Sequence, residues 1–256
     1  MNAADLDYDA LRQYAVENIP NLLFVSVSGA HLYGFPSSDS DVDLRGAFAA
    51  PIEAVLSLNL LRETVQPSAI VEGVEVEAVA HEITKYLKLL IKPNGYVLEQ
   101  ILSPLVVLTS PAHAELQALA RESLSKRLYF HYAGFAKGEW RDYQKSDANK
   151  TVKRLLYLHR VLMTGIVLLT EGIVEANLIA LNSRFPLDLA PLLAMKTREQ
   201  ATVEGDDLGY TSGIIELFGR LDEARDRSPL PDSVPNRAAI SDFLVRLRLS
   251  NIDAGS

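Results

Sequence analysis

The sequence contains no cysteine among its 256 residues. This absence excludes disulfide bonds and thiolate metal sites, so any bound metal ion must be held by oxygen or imidazole ligands. Carboxylate oxygens favour hard cations such as magnesium, manganese and calcium. Long apolar runs are also missing, since the longest, residues 161–170, is about half of what a bilayer span needs.

Net positive charge is lacking as well, because the formal net charge is −8. This negative net charge disfavours a broad basic face that binds duplex DNA nonspecifically, and it favours a small or local acceptor site. The first residues have no basic start and no apolar core, so they do not form a signal peptide. We therefore expect a soluble cytoplasmic protein that does not associate with membranes.

The first 110 residues mix strand and helix patterns. A compact apolar run at residues 22–28 predicts a buried strand that ends at Gly29. Residues 41–48 and 71–79 alternate between apolar and polar side chains, which predicts two further strands, each with one buried face. A short strand is predicted at residues 106–108.

Beyond Pro111 the strand patterns nearly vanish. Helical periodicity covers residues 112–126, 128–143 and 149–171, and a final helix is predicted at residues 237–249. The change near residue 110 predicts a boundary between a mixed part of the chain and a helical part.

Two acidic residues carry the strongest chemical signal. Asp41 and Asp43 are one residue apart on a predicted strand, so both carboxylates leave the same face, roughly 7 Å apart at the backbone. Two like charges that close are unfavourable unless a divalent cation lies between them. Glu77, on a later strand, is the best candidate for a third ligand, and Glu75 shares its polar face.

A glycine turn precedes the aspartates. Ser28, Gly29 and Ala30 follow a buried strand, and a glycine there allows close approach of the backbone and offers N–H groups to a phosphate. One element could thus bind a triphosphate while the other holds metal ions. This arrangement suits nucleotidyl transfer, which requires no protein nucleophile.

The segment SGAHLYGFPSSDSDVDLRG, residues 28–46, resembles the signature of the DNA polymerase β-type nucleotidyltransferase superfamily. It is most similar to a bacterial and phage subfamily of predicted nucleotidyltransferases, some of them associated with RNA repair. The residues that match the subfamily pattern are His31, Tyr33, Gly34, Ser40, Asp41, Asp43, Arg45 and Gly46. Weaker similarity extends to residue 172 and covers about two-thirds of the chain.

The resemblance implies an α+β fold, in which a polymerase-β-like domain with a small mixed sheet is followed by a helical domain. We expect residues 1–110 to form the catalytic domain and residues 111–256 to complete the cleft for nucleotide and acceptor. The implied reaction transfers a nucleoside monophosphate from a nucleoside triphosphate to an acceptor hydroxyl. Magnesium or manganese would be the cofactor, and an RNA end is the favoured acceptor.

The same resemblance assigns roles to particular residues. Catalysis and metal binding are expected at Asp41, Asp43 and Glu77. Lys153, Tyr157 and Arg160 recur at helical spacing and would form a basic stripe for the triphosphate. Nucleotide contacts are expected at Ser28, Gly29, Ala30, His31, Tyr33, Ser40, Lys153 and Arg160.

Some positions leave alternatives open. Ala30 stands where the superfamily commonly has serine, and Glu77 replaces the usual third aspartate. These departures leave room for a catalytically silent module that binds nucleotide or RNA. A toxin-type enzyme that modifies a protein or tRNA is a further alternative. Trp140 could stack on a base or take a half-buried packing role, and Arg45 is expected to support a neighbouring aspartate. The sequence leaves the triphosphate, the acceptor and the oligomeric state open.

Overall fold

A computed structural model describes residues 3–197 and 208–253. Within these ranges the strands are β1 (Leu22–Val27), β2 (Val42–Phe48), β3 (Thr64–Val65), β4 (Ser68–Val71), β5 (Val74–Glu82) and β6 (Val106–Leu108). The α-helices of the first half are α1 (Tyr8–Asn18), α2 (Gly29–Tyr33), α3 (Ile52–Leu56), α4 (Ile83–Ile91), α5 (Gly95–Ile101) and α6 (Pro111–Glu122). Those of the second half are α7 (Leu128–Lys145), α8 (Val152–Glu171), α9 (Leu178–Asn182), α10 (Ala190–Thr197), α11 (Leu208–Arg227) and α12 (Arg237–Asp253).

The strands form one small mixed sheet. Its order is β3-β5-β2-β1-β6, and β4 also pairs with β5. β2 and β5 run parallel, whereas β1 pairs antiparallel with both β2 and β6. After β6 the described chain is helical. The predicted α+β class, with a small mixed sheet and a helical C-terminal part, is therefore confirmed.

The strand predicted at residues 71–79 is in fact part of a hairpin. β4 ends at Val71, which pairs with Val74, so the turn consists of Glu72 and Gly73. Both turn residues have positive φ, 48° and 80°, as a tight two-residue hairpin turn requires. The sequence pattern missed β4 because its side chains are mostly exposed and carry no apolar alternation.

The chain divides into two compact units that are discontinuous in sequence. The sheet unit comprises Ala4–Gly29, Asp41–Ser123 and Val234–Ser256, and the helical unit comprises Ala30–Ser40 and Leu124–Ser233 together with the first three residues. Both α6 and α12 thus belong to the sheet unit. The predicted division of the chain at residue 110 concerns functional domains, and it stays a prediction.

One face of the sheet carries the core of the sheet unit. Val42 and Leu44 on β2 and Val76 on β5 are buried together with the apolar face of α1, which contributes Leu11 and Tyr14. Burial of each such side chain contributes about 1.5–3 kcal/mol. The alternation of β2 therefore directs Asp43 and its polar neighbours to the opposite face.

A buried ion pair attaches the last helix to the end of β5. The Glu82 carboxylate accepts the Thr84 N–H at 2.8 Å and so caps α4. It also pairs with the guanidinium of Arg248 on α12. Arg248 donates in addition to the Ala50 carbonyl at 2.9 Å and the Thr84 hydroxyl at 3.0 Å. The first residues after β5 therefore depend on a side chain near the end of the chain.

The helical unit is built around α8, which is buried along nearly its whole length. Gly165 allows α7 and α11 to pack closely against α8. A Cβ atom at Gly165 would lie 2.9 Å from both Tyr132 of α7 and Leu221 of α11. The helix ends at Gly172, whose φ of 68° suits the left-handed cap. Among the described residues, none of the helices is both long enough and apolar enough to cross a bilayer.

We predict that Arg248→Met lowers the free energy of unfolding by about 3–5 kcal/mol, because it leaves the Glu82 carboxylate buried without its counter-charge. Urea unfolding measures the change. The control is Arg246→Met, since Arg246 pairs with Glu115 at the surface, where their side chains are 61% and 46% exposed. Surface pairs contribute about 0–1 kcal/mol. Equal losses in the two variants would contradict the prediction.

A second prediction concerns acid stability. Burial lowers the pKa of His159 to about 4, and its Nδ1 donates to the Leu155 carbonyl at 2.8 Å. The unfolded chain, with an ordinary histidine pKa near 6.5, therefore binds more protons between pH 6.5 and 4. Titration of His159 should by itself lower the free energy of unfolding by roughly 3 kcal/mol as the pH decreases through this window. Between pH 7 and pH 4 the free energy of unfolding should fall by roughly 3 kcal/mol more in the wild type than in His159→Leu. Parallel pH dependences of the two proteins in urea unfolding would refute the assignment.

Candidate functional site

Strand register brings the three predicted carboxylates together within the sheet unit. In the parallel pairing of β2 with β5, Asp43 lies directly beside Glu77. Asp41 immediately precedes β2, two residues before Asp43. One carboxylate oxygen of each residue lies within 4.8 Å of those of the other two. The cluster is thus assembled from two neighbouring strand segments.

This cluster fits a hard divalent cation. Its donors are three carboxylates, and opposite oxygen ligands of magnesium are about 4 Å apart, which is close to the observed spacing. Asp41 is exposed, whereas Asp43 and Glu77 are half-buried, so a ligand can reach the oxygens from solvent. The residues that would hold magnesium or manganese are therefore Asp41, Asp43 and Glu77.

Gly29 is required by the position of Asp43. Its φ is +61°, and a Cβ atom there would lie 1.9 Å from the Asp43 Oδ2 atom. The preceding N–H, from Ser28, donates to the Asp43 carbonyl at 2.8 Å. The glycine turn therefore supports one of the carboxylates directly, in addition to any role toward a ligand.

Arg45 supports the cluster, as expected from the sequence. Its guanidinium lies 2.6 Å from an Asp43 oxygen and 3.5 Å from a Glu77 oxygen. It follows Asp43 by two residues on β2, so the two side chains leave the same face of the strand.

Residues 30–40, which follow Gly29, belong to the helical unit, and residues 31–37 are mostly buried. His31 and Tyr33 are 3% and 5% exposed. The Arg160 guanidinium lies 3.7 Å from the centre of the Tyr33 ring. Tyr157 meets the same ring edge-on at 5.5 Å. Tyr33 of α2 thus packs against Arg160 and Tyr157 of α8. The resemblance to the family pattern had assigned His31, Tyr33 and Arg160 to nucleotide contact.

The predicted basic stripe on α8 is not a single exposed face. Lys153 is exposed, but Arg160 is fully buried. The cause is that α8 enters the core of the helical unit after its first turn, where its polar side chains are covered on all sides. Helical spacing correctly places the residues on one side of α8, and it could not reveal the depth of burial.

The loop at residues 34–40 of the helical unit brings two serine hydroxyls together. The hydroxyls of Ser37 and Ser40 are 3.0 Å apart, and Lys196 contacts that of Ser37. The Ser37 side chain, by its hydrogen bond, lowers the pKa of Asp39, and the charges of Lys196 and Lys153 act in the same direction. Lys196 was missed by sequence reasoning, because it ends a short helix with no motif around it.

An open pocket of about 340 Å³ lies between α7 and α8 in the helical unit. It combines two aromatic rings, an ion pair of Arg154 with Glu139 at 2.9 Å, and the exposed Lys153. Its lining residues are Phe135, Glu139, Thr151, Lys153, Arg154 and Tyr157. Trp140 is not among them, and its ring stacks on Tyr143 with centroids 5.6 Å apart.

Comparison with known proteins gives a family match over almost the whole chain. The model of the family described as "RNA repair pathway DNA polymerase beta family" matches residues 4–246. An uncharacterized protein of Methanocaldococcus jannaschii, MJ0002, is 31% identical over 222 residues, which cover 85% of this chain and 90% of the relative. The uncharacterized protein YcgL of Bacillus subtilis is 27% identical over 241 residues, covering 91% and 90%.

A solved structure is also similar. The crystal structure of a nucleotidyltransferase-like protein from Exiguobacterium sibiricum covers 86% of this chain, and the match covers 74% of that chain. The TM-score is 0.32 and the identity is 9%.

We predict that Gly29→Ala weakens manganese binding at least about tenfold, because the new methyl group would displace the Asp43 carboxylate. Binding can be measured from the electron paramagnetic resonance signal of free manganese. Gly73→Ala is the matched control, since Gly73 also has positive φ but has open space where the Cβ would lie. Both variants carry a similar backbone penalty, about 1 kcal/mol. Unchanged affinity in Gly29→Ala would show that Asp43 is not a ligand or can move at no cost.

Proposed function

This chain belongs to the RNA repair pathway DNA polymerase beta family, and from that premise we propose that it is a metal-dependent nucleotidyltransferase. The proposed reaction moves a nucleoside monophosphate from a nucleoside triphosphate to an acceptor hydroxyl. The observation that carries the proposal is the meeting of Asp41, Asp43 and Glu77 at the paired strands β2 and β5. Family membership alone indicates a nucleotidyltransferase of the polymerase β type.

The three carboxylates would hold magnesium or manganese. A bound divalent cation supplies neutralisation of phosphate charge and a lower pKa of the attacking hydroxyl. In the transfer, the acceptor oxygen bonds to the α-phosphorus while the bond to the bridging oxygen breaks and pyrophosphate leaves. The Glu77 side chain is 47% exposed, so an acceptor hydroxyl can reach its carboxylate, which would accept the hydroxyl proton.

The nucleotide contacts proposed from the family pattern are Ser28, Gly29, Ala30, His31, Tyr33, Ser40, Lys153 and Arg160. Two observations within the helical unit support part of this set. Lys153 is exposed at the pocket that also contains the rings of Phe135 and Tyr157. The charges of Lys153 and Lys196 both lower the pKa of Asp39, which lies in the loop that ends at Ser40. Cations and aromatic rings are the groups that a nucleotide requires, since a metal ion cannot neutralise all the phosphate charge.

An RNA end is the acceptor that we propose, with the cytoplasm as the compartment. The description of the family names RNA repair. The net charge of −8 disfavours an extended nucleic-acid footprint, and an RNA terminus needs only a local site.

We expect Asp43→Asn and Glu77→Gln to lower nucleotidyl transfer at least about 100-fold, because each removes a charge that would hold the cation. The assay incubates the full chain with each α-labelled triphosphate, manganese, and either RNA oligonucleotides or cell lysate. Glu75→Gln is the matched control. Glu75 lies two residues from Glu77 on β5 but outside the carboxylate cluster, so this variant should keep its activity.

The same assay separates the alternatives. Transfer that survives Asp43→Asn would contradict the proposed site. Saturable binding of a triphosphate without transfer to any acceptor would support a silent binding module instead. Label on a protein or on tRNA of the lysate, with none on the RNA oligonucleotides, would favour the toxin-type enzyme.

A further inference from the structure

The guanidinium of Arg45 is embedded in the carboxylate cluster. Its NH2 group lies 2.6 Å from Asp43 Oδ1 and 3.5 Å from Glu77 Oε2. Its NH1 group donates to the Leu44 carbonyl at 3.0 Å and the Glu77 carbonyl at 3.2 Å. One side chain therefore contacts two of the three candidate ligands and the backbone of both strands that carry them.

The backbone contacts hold Arg45 independently of the carboxylates. Both accepting carbonyls belong to the paired strands β2 and β5, whose register is fixed by the sheet. The Arg45 side chain is only 21% exposed, so few alternative positions are open to it. Arginine also stays charged at any pH at which the protein is folded. The guanidinium therefore stays in place when a ligand reaches the carboxylates.

The fixed positive charge of Arg45 reduces the net negative charge that the carboxylate cluster offers to metal ions. The three carboxylates of the cluster carry three negative charges when ionised. Arg45 neutralises one of them and leaves two, which a single divalent cation balances. A second divalent cation would give the cluster a net positive charge, which is unfavourable in a half-buried site unless further anions arrive. A triphosphate brings such anions.

We propose that Arg45 is a built-in cation of the carboxylate cluster, which limits the resting protein to one tightly bound divalent cation and makes entry of a second depend on the triphosphate. The inference rests on the proposed function, since it assumes that the cluster binds divalent metal. Arg45 is a positioning residue, because it acts through Asp43 and Glu77 and not on the substrate.

Arg45 could also favour metal binding by holding Glu77 beside Asp43. The parallel register already sets Asp43 next to Glu77 without help from any side chain. Repulsion between a guanidinium and a divalent ion a few ångströms apart is therefore the larger effect. Removal of the charge should tighten metal binding.

The test is titration of the full chain with manganese at neutral pH, with and without a non-hydrolysable triphosphate. Free manganese is followed by electron paramagnetic resonance, and a titration of the triphosphate alone is subtracted, because a free triphosphate itself binds manganese. The wild type should bind one ion without nucleotide and two with it. Arg45→Gln should bind the first ion roughly tenfold more tightly and acquire a second site without nucleotide. Arg45→Lys, which keeps the charge, should retain the single resting site and shows whether shape or charge matters.

Arg62→Gln is the control for overall charge, because Arg62 is exposed and bonds only the Thr64 carbonyl within the described part of the chain. It should match the wild type. Two equal manganese sites in the nucleotide-free wild type would overturn the inference, as would unchanged or weaker binding in Arg45→Gln. In both cases the proposed function would stand. Absence of manganese binding with and without triphosphate would overturn the metal site and the inference together.

Discussion

The parallel pairing of β2 with β5 is the constraint on which the candidate site depends. It makes Asp43 and Glu77 neighbours although they are far apart in sequence. A shift of one residue in this register would turn the acidic side chains toward the core, since successive side chains of a strand point to opposite faces. The buried face, with Val42, Leu44 and Val76, prevents that shift. Hydrophobic burial on one side of the sheet thus determines the electrostatics on the other.

Like charges held this close must be compensated by the surrounding structure. Arg45 supplies an opposite charge, and Gly29 supplies the space that the Asp43 carboxylate occupies. The glycine and the arginine of the sequence motif therefore both stabilise the position of the same aspartate, Asp43. A motif of this kind encodes the support of its carboxylates as well as the carboxylates themselves.

Local patterns were enough to predict the family, the fold class and the strands that meet at the carboxylates. The alternation of residues 41–48 predicted that Asp41 and Asp43 share one face of a strand, and the second alternating stretch indicated Glu77 as the third acid. The pattern failed where the outcome depends on long-range contacts. The burial of Arg160 depends on how α8 packs against its neighbours. The approach of Lys196 to the Ser37 hydroxyl joins residues that no local signal connects.

The attachment of Arg248 to the end of β5 has a consequence for synthesis of the protein on the ribosome. Arg248 follows Glu82 by 166 residues in the chain. The strand that carries Glu77 emerges long before the side chain that completes its C-terminal end. The sheet unit includes α12, so it can reach its final packing only after the ribosome has synthesised that helix. Until then Glu82 lacks its counter-charge, and the incompletely folded sheet unit is open to chaperones and proteases.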